Sequence, residues 1–207
     1  IEPQAAYSGL IIGFKRKVTY CMRTIPLIEK HLEKLDNYIT TDLIPAITGG
    51  IKCTTNERLL LSLPPKLGGL GIPIFAEIAN IEYSNSRQLT EYLQSKIQNQ
   101  DCQYEITNNI NTIKSKIKSS KEKRNQDKLL KIRSQMNEKE NWLNDLNGEI
   151  GASIWFTTIP VKEEGYVLPK RLFHDFLSLL YGKDFSRVPE SCECDMKFTL
   201  DHVLSCK

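Results

Sequence analysis

Apolar residues recur every three or four positions along most of this chain, which is the period of an amphipathic helix. Residues 4–23 put Leu10, Ile11, Phe14, Val18, Cys21 and Met22 on one side, and Pro26 ends the run. Gly9 and Gly13 are four apart on that helix, where a neighbour can approach closely. A second helix over 27–40 keeps Leu27, Ile28, Leu32, Leu35 and Ile39 on one stripe, opposite Lys30, His31, Glu33, Lys34 and Asp36. A short segment, 42–47, stops at Gly49-Gly50. Thr55 or Asn56 can cap a helix over 57–63, with Glu57 near its positive end.

Further on, 74–98 reads as a long helix with Ile78, Ile81, Leu89, Tyr92, Leu93 and Ile97 inward. A second long tract covers 103–146, with Ile106, Ile110, Ile113 and Ile117 in helical register. No strong apolar residue then occurs until Leu129, and Trp142, Leu143 and Leu146 resume the apolar face. Gly148 and Gly151 break the tract. Ser153–Pro160 is a short apolar segment, and Tyr166-Val167-Leu168 is the best candidate for an extended piece. Lys170–Tyr181 is strongly amphipathic, with Leu172, Phe173, Phe176, Leu177 and Leu180 inward. The expected fold is all-α or mostly α.

The pattern breaks hardest at Leu61–Phe75. Pro64 and Pro65 lack N–H groups and fix φ, while Gly68, Gly69 and Gly71 permit left-handed backbone and close approach. This tract reads as a hinge between helical layers. The expected organisation is a helical region over 1–63, the hinge and a long helical connector over 64–150, and a small helical region over 151–207.

The 207 residues carry a net charge of +3, mildly basic, but the charge is unevenly placed. Between 111 and 133 nine positive residues (Lys114, Lys116, Lys118, Lys121, Lys123, Arg124, Lys128, Lys131 and Arg133) outnumber Glu122 and Asp127, leaving +7. From 138 to 164 six acidic residues outnumber two lysines. The chain therefore has one basic stripe, which is either a solvated helix face or a phosphate-contacting surface. No apolar run approaches the ~20 residues that span a bilayer. Lys15, Arg16, Lys17 and Arg23 make residues 1–30 wrong for a secretory signal. Six cysteines, three scattered and three clustered, suit a reducing, intracellular compartment, nucleus or cytoplasm, better than a disulfide framework.

The clustered cysteines are Cys192, Cys194 and Cys206; seven residues separate Cys194 from His202, and three separate His202 from Cys206. Two close pairs of N/S ligands across a short loop are what a tetrahedral structural Zn²⁺ site asks for, and His202 and Cys206 would share one side of a helical turn. The alternative is incidental thiols beside a surface histidine. His31 and His174 lie on amphipathic helices without ligand partners and read as surface or half-buried. No phosphate-binding loop, dinucleotide fingerprint, nucleophile elbow or zincin motif occurs, and no two aspartates are adjacent. No catalytic residue is assigned.

Several of these patches occur in one order: Tyr20-Cys-Met-Arg-Thr-Ile-Pro26, Ile44-Pro-Ala-Ile-Thr48, Asn56 through Pro64, Gly68-Gly-Leu-Gly-Ile72, and a closing cluster with Phe198 and Asp201-His202. That order resembles the region downstream of the polymerase palm in reverse transcriptases of mobile retroelements, most like the non-LTR type. The resemblance implies a thumb and connector with a small zinc-knuckle-like element, binding RNA or DNA as template–primer and joined to the rest of the polymerase chain. The family's catalytic aspartates, and the Mg²⁺ they hold, belong to the upstream palm and match no position here, so the chain would be a fragment without activity of its own. By the same resemblance the stripe Lys114–Arg133, with Lys15, Arg16 and Lys17, would contact phosphates. The competing expectation is a helical protein–protein interaction module whose end is fixed by zinc, motivated by the long 103–146 tract with its opposite-signed ends.

Overall fold

The computed structural model describes residues 2–50, 52–100, 108–183, 190–198, 202, 205 and 206. The first helix is continuous but not uniform. Helix α1 (Pro3–Ser8), with proline in its first turn, runs into a π-helical turn (Gly9–Phe14) and on into α2 (Lys15–Thr24). The Lys15 N–H reaches back five residues to the Leu10 carbonyl, which inserts an extra residue into the turn. The faces rotate in consequence. Leu10, Val18 and Met22 remain buried, whereas Phe14 is exposed, and Gly9 and Gly13 face open space with nothing within 4 Å of a Cβ built on them. The expected close approach at these glycines is therefore absent.

Helix α3 (Glu29–Tyr38) starts later than expected. Pro26 and Leu27 form the preceding turn, and Leu27 has a left-handed φ of +54° and is 75% exposed rather than on the apolar stripe. A second π-helical turn (Ile39–Leu43) leads into α4 (Ile44–Thr48), which ends at Gly49 in the left-handed conformation. Helix α5 (Thr55–Ser62) is capped one residue before the expected candidates. Thr54 accepts from the Glu57 N–H while the Glu57 carboxylate accepts from the Thr54 N–H.

The Leu61–Phe75 stretch, expected as a hinge, is a buried strap folded back over the end of α5. Pro65–Leu67 make one 3₁₀ turn. The chain then returns so that Leu70 and Ile72 both donate to the Leu61 carbonyl, and Gly71 donates to Leu63. These bonds satisfy carbonyls that a helix end leaves open. Gly68 and Gly71 have φ near +80° and +67°. At Gly69 a Cβ would sit 2.1 Å from the Leu63 carbonyl oxygen, so only glycine fits. Leu63, Leu70, Ile72 and Phe75 are all but inaccessible.

The strap's own backbone is held by side chains from other elements. Tyr7 donates to the Leu70 carbonyl (2.7 Å) and Lys15 to Gly71 (2.9 Å). Arg58 donates to Ile72 (2.9 Å) and Pro73 (2.8 Å), and Tyr181 donates to Gly68 (3.3 Å). Burial raises the pKa of both tyrosine hydroxyls and lowers that of Arg58. Beyond the strap, the buried Asp36 carboxylate accepts from the Phe75 and Ala76 N–H groups, both at 2.8 Å, at the start of α6 (Phe75–Gln98). Burial lifts the Asp36 carboxyl above its ordinary range against the pull of those two donors and of Arg58.

Helices α2 and α3 pack on α6, Asp36 meeting Phe75 and Ala76 and Arg23 pairing with Glu82. The far half of α6 leaves Ile97 76% exposed instead of inward. The expected 103–146 tract is two helices: α7 (Asn108–Arg133), then a turn at 134–137, and α8 (Glu138–Gly148), which Asn137 and Glu140 cap reciprocally. Residues 103–107, including Ile106, lie outside the described set. On α8 it is Asn144 that is buried, while Trp142 is 59% exposed.

A short α9 (Ile154–Thr157) drives Phe156 into the core, where it meets Tyr7 edge-on at 5.8 Å. Tyr166–Leu168, the expected extended piece, lies outside any helix and pairs with no strand among the described residues. The buried Gln4 amide donates to the Tyr166 carbonyl and accepts from the Leu168 N–H, so one side chain satisfies what a neighbouring strand would. Helix α10 (Lys170–Leu180) buries Phe173 and Leu177, as expected, but leaves Leu172 and Phe176 partly exposed and buries Ser178 instead. Among the described residues there is no strand, and residues from all three expected regions contribute to one apolar cluster.

The buried polar groups make the fold testable. Asp36→Ala removes the acceptor of two N–H groups at the start of α6 and should cost about 1–3 kcal/mol in urea denaturation, with Asp36→Asn recovering part of the loss. His174 contributes pH dependence. Burial, seconded by Lys170, lowers its pKa, while the Ala46 carbonyl and Asp175 oppose. The neutral ring is favoured when folded, so its stability contribution should be complete above about pH 6.5 and fall as acid protonates the unfolded chain preferentially. Melting temperature against pH should be flatter below that point in His174→Gln.

Candidate metal centre and basic face

The C-terminal cluster is assembled from two local turns. Glu190–Phe198 form a small antiparallel loop: Ser191 bridges Lys197, Cys192 N–H donates to Met196, and Phe198 N–H donates to Glu190. The tip turns through Asp195, whose φ is +64°, a value aspartate tolerates better than most residues. This tight turn brings Cys192 and Cys194 to the same side. The second pair comes from a helical turn, in which Cys206 N–H donates to the His202 carbonyl at 2.7 Å. Asp201, expected to start that turn, lies outside the described residues.

The four side chains converge. Ligand atoms of Cys192, Cys194, His202 and Cys206 all lie within 4.8 Å of one another. The Cys192–Cys206 sulfurs are 3.8 Å apart and the Cys194–Cys206 sulfurs 3.7 Å, while Cys194 Sγ meets His202 Nε2 at 3.0 Å. A tetrahedral site with metal–sulfur bonds of about 2.3 Å has sulfur–sulfur edges of about 3.8 Å. The two sulfur edges match that value, so the donor set fits a metal ion, and four protein ligands leave no position open for chemistry. The thiols differ among themselves. The Cys194 N–H and His202 hold Cys192 down to about 7, whereas hydrogen bonds with Cys194 and Cys192 push Cys206 up to about 11. The described cysteines form no disulfide; Cys21 and Cys53 are half-buried thiols, and Cys102 is outside the described set.

The expected phosphate contacts divide into three groups. Lys114, Lys116, Lys118, Lys121 and Lys123 lie exposed along α7, as do Lys131 farther down and Arg16 and Lys17 on α2. Arg124 is half-buried. Lys15, Lys128 and Arg133 are engaged within the fold. Lys15 gives its ammonium to Gly71, and burial, with Lys121 nearby, lowers its pKa. Lys128 pairs with Glu77 at 2.7 Å, and Arg133 with Asp145 at 2.8 Å. The partners of Lys128 and Arg133 are 51 and 12 residues away, so no local signal in the sequence marks them. The five strap positions Pro64, Pro65, Gly68, Gly69 and Gly71 are not part of either site. His31 is exposed and His174 half-buried, as expected.

No protein-family model, curated protein or solved structure matches this chain. Among the described residues, no helix is long and apolar enough to cross a membrane.

Metal binding is directly measurable. Titration with Co²⁺ as a spectroscopic probe should give thiolate charge-transfer absorption that saturates at one ion per chain and weakens as pH falls, because the thiols must deprotonate. Cys194→Ser or His202→Ala should weaken or abolish it while far-UV circular dichroism of the helices is unchanged.

Proposed function

We propose that this chain is the non-catalytic, nucleic-acid-binding portion of a mobile-element RNA-directed DNA polymerase, gripping template–primer beside the rest of that polymerase. The observation that carries the reading is the exposed lysine run Lys114–Lys123 on α7, a helix whose surface there is polar around most of its circumference. Beside the narrow stripe of Ile113 and Ile117, that stretch of the helix presents its charge to solvent, where it can neutralise phosphates. The ordered resemblance of the patches between Tyr20 and Cys206 to the retroelement enzymes supports the same reading. Zinc is the ion the Cys₃His set suits best, with a structural role; Mg²⁺, which takes oxygen ligands, belongs to the palm of the resembled enzymes.

A second reading, a helical interaction module, is favoured by one observation: α10 exposes Leu172, Phe176 and Leu179 one turn apart, with Trp155 stacked edge-on against Phe176 at 5.4 Å. Binding of a labelled RNA–DNA hybrid to the metal-loaded protein separates the two. Nucleic-acid binding should weaken steeply from about 50 mM to 200 mM salt. Replacing Lys114, Lys116, Lys118 and Lys121 by glutamine should lower affinity and flatten the salt slope by about 0.9 for each phosphate that is no longer neutralised. Absence of salt-sensitive binding together with concentration-dependent self-association would favour the module.

A further inference from the structure

A groove of ≈ 540 Å³ runs along α7 where it passes the start of α5 and the start of α6. Arg124, Asp127, Lys128 and Lys131 line one side of it, the last three lying three, four and seven residues beyond Arg124 so that they share a helical face, with Lys123 at its edge. Two of these five do not contribute free positive charge. Lys128 is spent on Glu77 and lies 3.4 Å from the Ser62 hydroxyl, and Asp127 is acidic. Lys123, Arg124 and Lys131 make no ion pair among the described residues, and Arg124 is half-buried. The floor is apolar, from Leu59 and Ile132, and one end is closed by the Asn56 and Gln135 amides, which bond to each other.

We infer that this groove seats the phosphates of a single nucleic-acid strand, an assignment that rests on the nucleic-acid-binding reading above. Arg124 is the central ligand, because its planar fork can take two phosphate oxygens where a lysine meets one. Lys123 stands beside it, and Lys131 lies about 10 Å farther along the helix at 1.5 Å per residue. Asp127 sits between them and repels phosphate, which leaves two phosphate positions, one on each side of it. The apolar floor carries the intervening sugar. In this assignment a duplex meets only the outer lysines. The groove thus selects for single strands, and the outer lysines attract any strand through long-range charge.

The test compares substitutions that remove the same charge at different places. Anisotropy of a short labelled single-stranded RNA is measured with the metal-loaded full chain, with Arg124→Gln, Arg124→Lys, Asp127→Asn and Lys118→Gln. Arg124→Gln should weaken single-strand binding at least tenfold, against two- to threefold for Lys118→Gln, and Arg124→Lys should recover only part. Asp127→Asn should tighten single-strand binding several-fold and leave binding of an RNA–DNA hybrid unchanged. Equal effects of Arg124→Gln and Lys118→Gln would overturn the groove while leaving nucleic-acid binding intact; no binding by the unaltered chain would overturn both. A nucleoside triphosphate shares the chemistry, so it serves as a competitor: displacement of the RNA only at far higher concentration supports the strand, and tight nucleotide binding without RNA binding overturns it. Should Arg124→Gln lose its helical melting transition, Lys123→Gln/Lys131→Gln replaces it, with the same tenfold loss expected.

Discussion

The backbone of residues 68–74, with the first N–H groups of α6, cannot satisfy all of its own polar groups. Pro73 and three glycines hold 68–74 out of any helix or ladder, and it is nevertheless largely buried. A buried carbonyl or N–H without a partner costs free energy comparable to a missing hydrogen bond, so each must be met from elsewhere. The structure meets them with side chains from widely separated elements. Tyr7 of α1, Lys15 of α2, Asp36 of α3, Arg58 of α5 and Tyr181 just beyond α10 all converge on this one strap. The helices are therefore fixed relative to one another by a common polar centre as well as by apolar packing. That is why two charged residues, Asp36 and Arg58, are buried in a small helical protein.

Both candidate sites stand outside that centre. The metal cluster is built from two turns whose geometry is set by local backbone bonds, and the fold contributes little to it. The lysine run on α7 extends beyond the part of the helix, around Leu129 and Ile132, that is packed against α5. The core is thus divided from the chemistry: α7 is held at its C-terminal half, where Lys128 and Arg133 are neutralised by Glu77 and Asp145, and keeps its charge where it leaves the core.

Much of the helical architecture is legible in the sequence because an amphipathic stripe is a local signal. The 4–23, 74–98 and 170–181 patterns locate helices to within a residue or two. The cysteine spacing is legible for a similar reason, since each ligand pair is one turn. Faces are less legible than elements. Each π-helical turn rotates the helix beyond it, and nothing in the Gly9–Phe14 or Ile39–Leu43 sequences announces the extra residue. Period alone points Leu27, Ile97, Leu172 and Phe176 inward, although burial depends on whether a neighbour reaches that far. The fate of individual cations is illegible. Lys15 is withdrawn by a carbonyl 56 residues away and Lys128 by a carboxylate 51 residues away, pairings that only the folded chain creates.

The clasp between Gln4 and the Tyr166–Leu168 segment has a consequence for how the molecule comes into being. Its two ends are separated by more than 160 residues, and the Tyr7–Phe156 ring pair spans nearly as far. On a ribosome the first helix emerges long before its partners exist, with Tyr7 and Leu10 exposed and the Gln4 amide unanswered. Contacts of such sequence separation slow folding and prolong the exposure of apolar surface. The earlier-made of these two segments must therefore wait for the later one, and the vulnerable interval for aggregation or chaperone capture is set by the time taken to synthesise the residues between them.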